Sequence, residues 1–453
     1  MPKMKKLIIF LLVSAGFFLS LTVQIFAEND ASIMKQRRDV LNYGLNSEVL
    51  ELVKELYLER NTDFLPELKT IFEQSQNVEI RQNVLSLFLE LKNKALLKPC
   101  ESMLSDSKDQ TNSLLLTAVS YLTELKDEAS IPIFAKLLTN SNKILAQASI
   151  RALGQLKAIK ETQTLIDFLK NPDTDDNFKP DIYWALGEMK AVSAVDVLTK
   201  AYDSAASDPL TQQIIVESLG KIGDPSSWSR IEQAFESTTT SLKSKALQAM
   251  IAYEPKHPRV KELVGAGLRD SQVPVRLAAA AVEEKIKDPE WQDLLTYRIK
   301  NDPSSAVRVA CAKALSSLPD NLWQPTFLHL LEDRNADFET WRIVLDLSLK
   351  KKIPGALEAL KALILRENKD QIDNYTPTLA LQLLSHREQR NRELYGLLLL
   401  NNKASTRMMA LRAISADGDK EYVPTLQNIA KNDDDGAVRE LASSILKSWK
   451  VAH

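Results

Sequence analysis

One pair of polar positions constrains this chain more than any other feature. An aspartate is followed six residues later by an arginine, and the pair returns along most of the sequence. The clearest copies are Asp270–Arg276, Asp302–Arg308 and Asp433–Arg439. Aligning the whole chain on the arginine position gives twelve copies, at Arg81, Asn112, Ala146, Lys179, Gln212, Lys243, Arg276, Arg308, Trp341, Asn374, Arg407 and Arg439. Neighbouring copies lie 31 to 34 residues apart, and a period of this length indicates a solenoid of short structural repeats.

The register can be tested on positions from which it was not built. With the arginine position as zero, helical periodicity predicts that positions −1, +3, +6, +7 and +10 face a core. In the eighth copy these are all apolar: Val307, Cys311, Ala314, Leu315 and Leu318. A second amphipathic segment precedes each such stripe, so each unit is predicted to be helix A, a short turn and helix B.

Four residues depart from this pattern. Glu283, Lys351 and Asp417 put charges at positions that should face the core. Pro377 falls three residues after Asn374, where a proline is expected to break or kink helix B of the tenth copy. That copy, roughly residues 353–385, is therefore the least regular.

These motifs resemble the HEAT repeat, in particular the short HEAT-like repeat that also occurs in phycobilin lyases. The stretches "RALGQL", "WALGEM" and "ESLGKI" supply the Leu-Gly of that repeat at Gly154, Gly187 and Gly220. The resemblance covers residues 63–450 and implies an all-α fold, a right-handed α-solenoid (an armadillo-like superhelix) of about twelve helix pairs. Such a likeness specifies architecture and says little about function.

A hydrogen-bonded ladder is the physical reason for the Asp–Arg pair. An aspartate in the A–B turn can accept N–H groups at the start of helix B, and the arginine can donate to the aspartate of a neighbouring repeat. The residues assigned to this structural ladder are Arg81, Asp270, Arg276, Asp302, Arg308, Arg407, Asp433 and Arg439.

The N-terminus differs from the repeats. Three lysines precede an uncharged apolar stretch at 7–23, and small Ala27 ends the following "QIFA" just before the acidic "END", so residues 1–27 are predicted to be a secretory signal peptide. An uncleaved membrane anchor is the alternative. Residues 28–62 are predicted to form N-terminal capping helices, followed by the solenoid at 63–450. The protein is expected to be exported, to the bacterial periplasm or outside the cell, without an integral membrane segment once the signal is removed.

Composition argues against several functions. The formal net charge of the whole chain is −2, and no basic stripe is visible in the sequence, so neither nucleic acid nor a polyanionic membrane surface is an expected partner. The four histidines lie far apart and none has a second ligand at zinc spacing, so no metal site is predicted. No nucleophile elbow, Walker loop or dinucleotide glycine motif is present, so neither a cofactor nor catalysis is expected. Cys100 and Cys311 are predicted to be core residues.

The remaining prediction is a scaffold that binds another protein or an extended peptide on its concave surface. Position +5 of helix B is mixed and mostly polar, as a solvated inner surface should be, and gives the candidate binding residues Arg151, Trp184, Glu217, Gln248, Lys313, Asp346 and Arg412. An aromatic residue between charges is typical of an interface anchor, although Trp184 could instead lie over the repeat junction beside Gly187. The alternative function is that of a lyase-type protein holding a small molecule or chromophore.

Overall fold

The structure, a computed structural model, describes residues 32–107, 110–253, 257–333, 336–370, 375–385 and 392–451. The predicted signal peptide therefore lies outside the described residues. In the described part the chain is α-helical, with short 3-10 turns and no strand. The helices alternate as the repeat predicts, with helix A odd and helix B even in chain order.

The first compact unit ends at Ala205. It begins with helix α1, residues 32–43. The helices that follow in this unit are α2 (Asn46–Glu59), α3 (Leu65–Gln74), α4 (Val78–Glu90), α5 (Leu97–Ser105), α6 (Asn112–Glu124), α7 (Ile131–Leu137), α8 (Lys143–Gln155), α9 (Thr162–Lys170), α10 (Lys179–Glu188) and α11 (Val195–Ser204). The B helices α2, α4, α6, α8 and α10 pack side by side in chain order, and α4, α6, α8 and α10 also pack on the A helix that precedes each of them.

The second unit starts at Ala206 and has the same organisation. Its helices are α12 (Pro209–Ile222), α13 (Trp228–Glu236), α14 (Thr240–Met250), α15 (Arg259–Leu268), α16 (Val273–Ile286), α17 (Gln292–Asn301), α18 (Ser305–Leu315), α19 (Asp320–Glu332), α20 (Phe338–Lys351), α21 (Ala356–Asp370), α22 (Thr376–Ser385), α23 (Arg392–Leu399), α24 (Ala404–Asp417), α25 (Val423–Asn432) and α26 (Gly436–Ser448). The B helices from α12 to α26 again contact their neighbours in order. The predicted all-α solenoid of helix pairs is thus confirmed within each unit.

The predicted core stripe is buried. Val307, Cys311, Ala314, Leu315 and Leu318 of the eighth repeat are all buried. The equivalent residues of the first and fourth repeats are buried too, apart from half-buried Leu91. Both cysteines are buried and free. Burial of this stripe stabilises each unit, because within it neighbouring helix pairs cover one another's apolar faces.

The charged residues at core positions have polar or aromatic partners within the chain, and only Glu283 of the three is buried. The fully buried Glu283 accepts the N–H of Asp288 at 2.6 Å. The ammonium of Lys351 lies 4.9 Å from the centre of the Trp323 ring and donates to the carbonyl of Ser316. Asp417 accepts the hydroxyl of Tyr395 at 2.9 Å. A buried polar group is costly only without a partner, so these charges are compatible with the repeat.

The prediction that Pro377 breaks or kinks a helix is wrong. Helix α22 begins at Thr376, so the proline occupies the first turn, where its missing N–H has no intrahelical acceptor. Asn374 lies outside the described residues. The start of α22 is capped by a carboxylate from the preceding helix: Glu367 is 2% exposed and accepts the N–H of Tyr375 at 3.1 Å and that of Thr376 at 2.8 Å.

The ladder hydrogen bonds are present in the second unit. Arg276 donates to both carboxylate oxygens of Asp302 at 2.8 and 2.9 Å. Arg407 makes the same paired contact with Asp433, at 2.9 and 2.8 Å. Arg276 also donates to the carbonyl of Asp270 at 3.0 Å. Each arginine therefore joins its own A–B turn to the turn of the following repeat.

Three ladder arginines differ in detail. Arg308 contacts Asp337 at 3.0 Å as well as the carbonyl of Asp302. Arg439, in the last repeat, donates to the carbonyl of Asp433. Arg81, in the first unit, donates to the carbonyl of Phe72 at 3.0 Å instead of to a carboxylate.

Burial and hydrogen bonding shift the pKa of Asp302 in opposite directions. Burial raises the pKa of this carboxyl, but the hydrogen bonds from Arg276 and from the N–H of Ser304 outweigh it and leave the pKa below its usual value. The pKa of Asp433 is lowered in the same way, by Arg407 and the N–H of Asp435. Both aspartates are therefore charged at neutral pH and tied to their arginines.

Candidate protein-binding surface

The exposed face of the B helices carries the residues at position +5. Position +4, one residue earlier, is buried at Ile150, Val216, Leu247 and Leu411 and half-buried at Leu116. At position +5 the side chains reach solvent: Arg151, Gln248, Lys313 and Arg412 are exposed, and Trp184, Glu217 and Asp346 are half-buried. The two rows therefore divide as their composition indicates, one packing between repeats and one facing water.

Trp184 lies on the junction between two repeats of the first unit. Helices α8 and α10 approach closely at Gly154, where a Cβ would lie 2.8 Å from Cζ3 of Trp184 and 2.8 Å from the Cα of Ala185. The indole thus packs on the bare backbone of Gly154, in the preceding repeat. The ring thus lies over a junction between repeats, where it contacts Gly154. Trp184 is half-buried there.

The polar side chains on this surface are already held in place. Asp181 of α10 accepts Nε of Arg151 at 2.7 Å and Nε2 of Gln147 at 2.6 Å, both from α8. Asp181 is three residues before Trp184 on the same helix, so the ion pair and the indole belong to one helix face. An exposed pair of this kind contributes little to stability, which leaves its charges available to a ligand.

In the second unit a different charge cluster occupies the B-helix face. Glu217 accepts Nζ of Lys221 at 2.8 Å and Nζ of Lys245 at 2.6 Å. Burial raises the pKa of Glu217, but these two hydrogen bonds outweigh it and lower the pKa below its usual value. The candidate residues thus fall into two groups: Arg151 and Trp184 in the first unit, and Glu217, Gln248, Lys313, Asp346 and Arg412 in the second.

Prediction from position +5 alone did not find the residues that hold these side chains in place. Asp181 and Lys245 are at position +2 of their repeats, and Gln147 is at position +1. On a helix, residues three and four apart are neighbours, so +1 and +2 flank +5 on one face. A search of the sequence over all three positions would have found them.

Within the residues that the structure describes, no group of three His, Cys, Asp or Glu side chains could hold a metal ion. His257 stacks on the indole of Trp228, with ring centres 3.9 Å apart. None of the helices described is long and apolar enough to span a membrane.

These repeats define the chain as a helical repeat protein of the HEAT class. The sequence matches the family described as spirochaete HEAT repeat protein over residues 41–445, and the chain belongs to that family. No curated protein matches it in sequence.

Solved structures of similar fold are distant in sequence. Importin beta is 13% identical with a TM-score of 0.48, over 93% of this chain and 68% of that one. The complex of CpcE and CpcF of phycocyanin lyase from Nostoc sp. PCC7120 is 16% identical with a TM-score of 0.30, over 63% and 94%. Human deoxyhypusine hydroxylase is 14% identical with a TM-score of 0.27, over 60% and 98%. Likenesses of this size concern helical repeats in general and say nothing about what this chain binds.

Proposed function

We propose that this chain is a non-catalytic scaffold that holds another protein, or an extended peptide, against the exposed face of its B helices. The observation that carries the proposal is Trp184, whose ring contacts Gly154 of the preceding repeat and is half-buried, so that part of the side chain reaches solvent. Partly exposed aromatic side chains that are held in place by packing are typical anchors of protein interfaces. The adjoining Arg151–Asp181 pair supplies charged groups of both signs.

The surface suits a chain-like ligand better than a small molecule. Within each unit its candidate residues lie on separate B helices, one to a helix. Small-molecule sites are usually concave and largely apolar. The alternative of a chromophore-binding or lyase-type protein has no comparable observation in its favour.

Position-specific photo-crosslinking tests the proposal. A photoreactive residue at Thr117 or Gln248, both on the B-helix face, should crosslink one discrete partner in the native cell envelope. The same residue at Gln163 or Asp293, on exposed A-helix positions, provides the matched control. Crosslinks to the same partner from the A-helix positions alone would contradict the proposed surface.

Export is part of the same proposal and is carried by the sequence of residues 1–27. The mature chain is proposed to begin near Glu28 and to be released when the outer compartment of the cell is opened. N-terminal sequencing of the released protein tests this. Recovery of full-length chain only in detergent would favour the uncleaved anchor.

A further inference from the structure

The B helices of the first unit all end on a cation in a strained backbone conformation. Outside glycine, positive φ is uncommon, yet φ lies between 51° and 55° at the first residue after α2 and at the second residue after α4, α6, α8 and α10. We call these residues the cationic turn row: Arg60, Lys92, Lys126, Lys157 and Lys190. All five are exposed.

The hydrogen bonding of these turns explains the conformation but not the residue type. In the turn after α8, Lys157 donates to the carbonyl of Gly154 at 3.0 Å and Ala158 to that of Leu153 at 3.0 Å. The same two bonds recur after the other four helices. This is the helix-ending motif in which glycine is strongly preferred at the positive-φ position. In the second unit glycine takes this position at Gly223 and Gly418, whereas lysine takes it again at Lys287, Lys352 and Lys450.

A cation at the end of a helix is favourable because it complements the helix dipole. That effect does not require the strained position, since any residue of the last turn would serve. Strain that is retained at five successive turns indicates a role for the side chain. Arg60 pairs with Glu90, whereas Lys92, Lys126, Lys157 and Lys190 form no ion pair with any residue that the structure describes.

Two of the turns also project an apolar side chain. Ile159 is 52% exposed and Val192 is 59% exposed. Each stands two residues after a row lysine and is separated from it by a buried alanine, Ala158 or Ala191. The alanine anchors the turn, so the lysine and the apolar residue both face outward. The turn of Lys126 differs, because Asp127 and Glu128 follow the lysine.

We propose that the cationic turn row binds the anionic surface of a phospholipid bilayer. Because the B helices pack side by side, the turns that end them follow one another along one edge of the unit, about one helix width of 8–10 Å apart. Lysines near an anionic bilayer are attracted to it in proportion to their number. Ile159 and Val192 are placed to enter the headgroup layer beside them. The row is not evident from the sequence or from the low net charge of the chain, because only the fold brings these lysines to one edge.

Vesicle co-sedimentation tests this with the processed protein purified after export. It should sediment with vesicles of phosphatidylglycerol and phosphatidylcholine, and much less with phosphatidylcholine alone. Raising the salt should release it, because the Debye length falls from about 10 Å at 0.1 M to about 3 Å at 1 M. Equal binding to neutral vesicles would overturn the proposal, as an apolar anchor would bind both.

Glycine substitutions in the cationic turn row remove the charge without disturbing the turns. The variant with Lys92, Lys126, Lys157 and Lys190 changed to Gly should keep its helix content and melting temperature, since glycine suits these turns, and should lose at least about tenfold in vesicle affinity. Changing Lys69, Lys136, Lys143 and Lys170 to Gln removes the same charge elsewhere in the unit and should change little. Ile159→Ser with Val192→Ser should weaken binding to the anionic vesicles at low salt, and high salt should still release the variant.

Two outcomes would overturn the proposal. One is equal loss of affinity in both lysine variants, which would show that net charge alone acts. The other is binding to poly-glutamate through the row without binding to vesicles, which would assign the row to an acidic protein.

Discussion

Arg276 and Asp302 form a buried pair across two consecutive repeats, with two N–O distances of 2.8 and 2.9 Å. The aspartate side chain is inaccessible and the arginine side chain 5% exposed. A second cation, Arg298, lies 3.3 Å from the same carboxylate. The pair thus joins neighbouring repeats at a point that water does not reach.

Breaking this pair should be strongly destabilising. Arg276→Leu leaves the buried carboxylate with Arg298 alone, and we expect a loss of about 3 kcal/mol in the free energy of unfolding. The double variant Arg276→Leu with Asp302→Asn should lose less free energy of unfolding than Arg276→Leu, because it leaves no buried carboxylate without its arginine. Urea denaturation measures both. Arg151→Leu, which breaks an exposed pair, should cost under about 1 kcal/mol, and an equal loss there would contradict a special role for the ladder.

Acid should weaken the protein through the same carboxylates. The folded-state pKa values of Asp270, Asp302 and Asp433 are lowered, so the unfolded chain binds protons more readily. Their contribution is fully present above the unfolded pKa, about 3.9, and is lost as the pH falls through the folded values. The urea midpoint should therefore drop below about pH 4. A drop that is just as steep in the Asp302→Asn, Asp433→Asn variant would assign acid sensitivity to other groups.

The hydrogen bonds that Glu367 accepts at the start of α22 should stabilise that helix in particular. Glu367→Ala removes the acceptor for the N–H groups of Tyr375 and Thr376 and should cost about 2–3 kcal/mol, the range for hydrogen bonds to a charged group. Hydrogen exchange should accelerate in α22 first. Glu358→Ala, on the exposed face of the same helix, is the control and should be close to neutral. Unchanged protection in α22 would show that the cap is dispensable.

The close approach of α8 and α10 makes Gly154 sensitive to a single methyl group. Gly154→Ala places a Cβ 2.8 Å from the backbone of Ala185, so α10 and Trp184 must shift, and we expect about 1–3 kcal/mol of destabilisation. Gly396→Ala is the matched control, because a Cβ there meets nothing within 4 Å. In helix α23 it should stabilise by up to about 1 kcal/mol. Equal effects of the two changes would contradict the packing of Trp184 on Gly154.

The sequence was sufficient to predict the helix pairs, their register and the solvent-facing row, because the 31- to 34-residue spacing of the arginine position fixes which faces recur. It was not sufficient where a charged residue has its partner outside its own helix. Glu283 looks like an error in an apolar stripe, and only the fold shows that it accepts a hydrogen bond from the N–H of Asp288. Pro377 was misplaced because a register locates a helix face but not the residue at which the helix begins.

The lysines that end the B helices were missed for a different reason. Lys157 and Lys190 are ordinary surface residues in sequence, and positive φ cannot be derived from residue type when the residue is not glycine. The packing of Trp184 against Gly154 was also missed. Contact between neighbouring repeats depends on how closely their helices approach, and the sequence does not give that distance.

Trp184→Ala gives the most direct test of the scaffold function. The variant should keep its helix content and lose less than about 3 kcal/mol in stability, because the ring is only half-buried. Its affinity for the partner identified by crosslinking at Thr117 or Gln248, measured by titration calorimetry, should fall by at least about thirtyfold, as for a hot-spot residue of about 2 kcal/mol. Unchanged affinity, or a stability loss of about 3 kcal/mol or more, would show that Trp184 is a packing residue and that this face is not the binding surface.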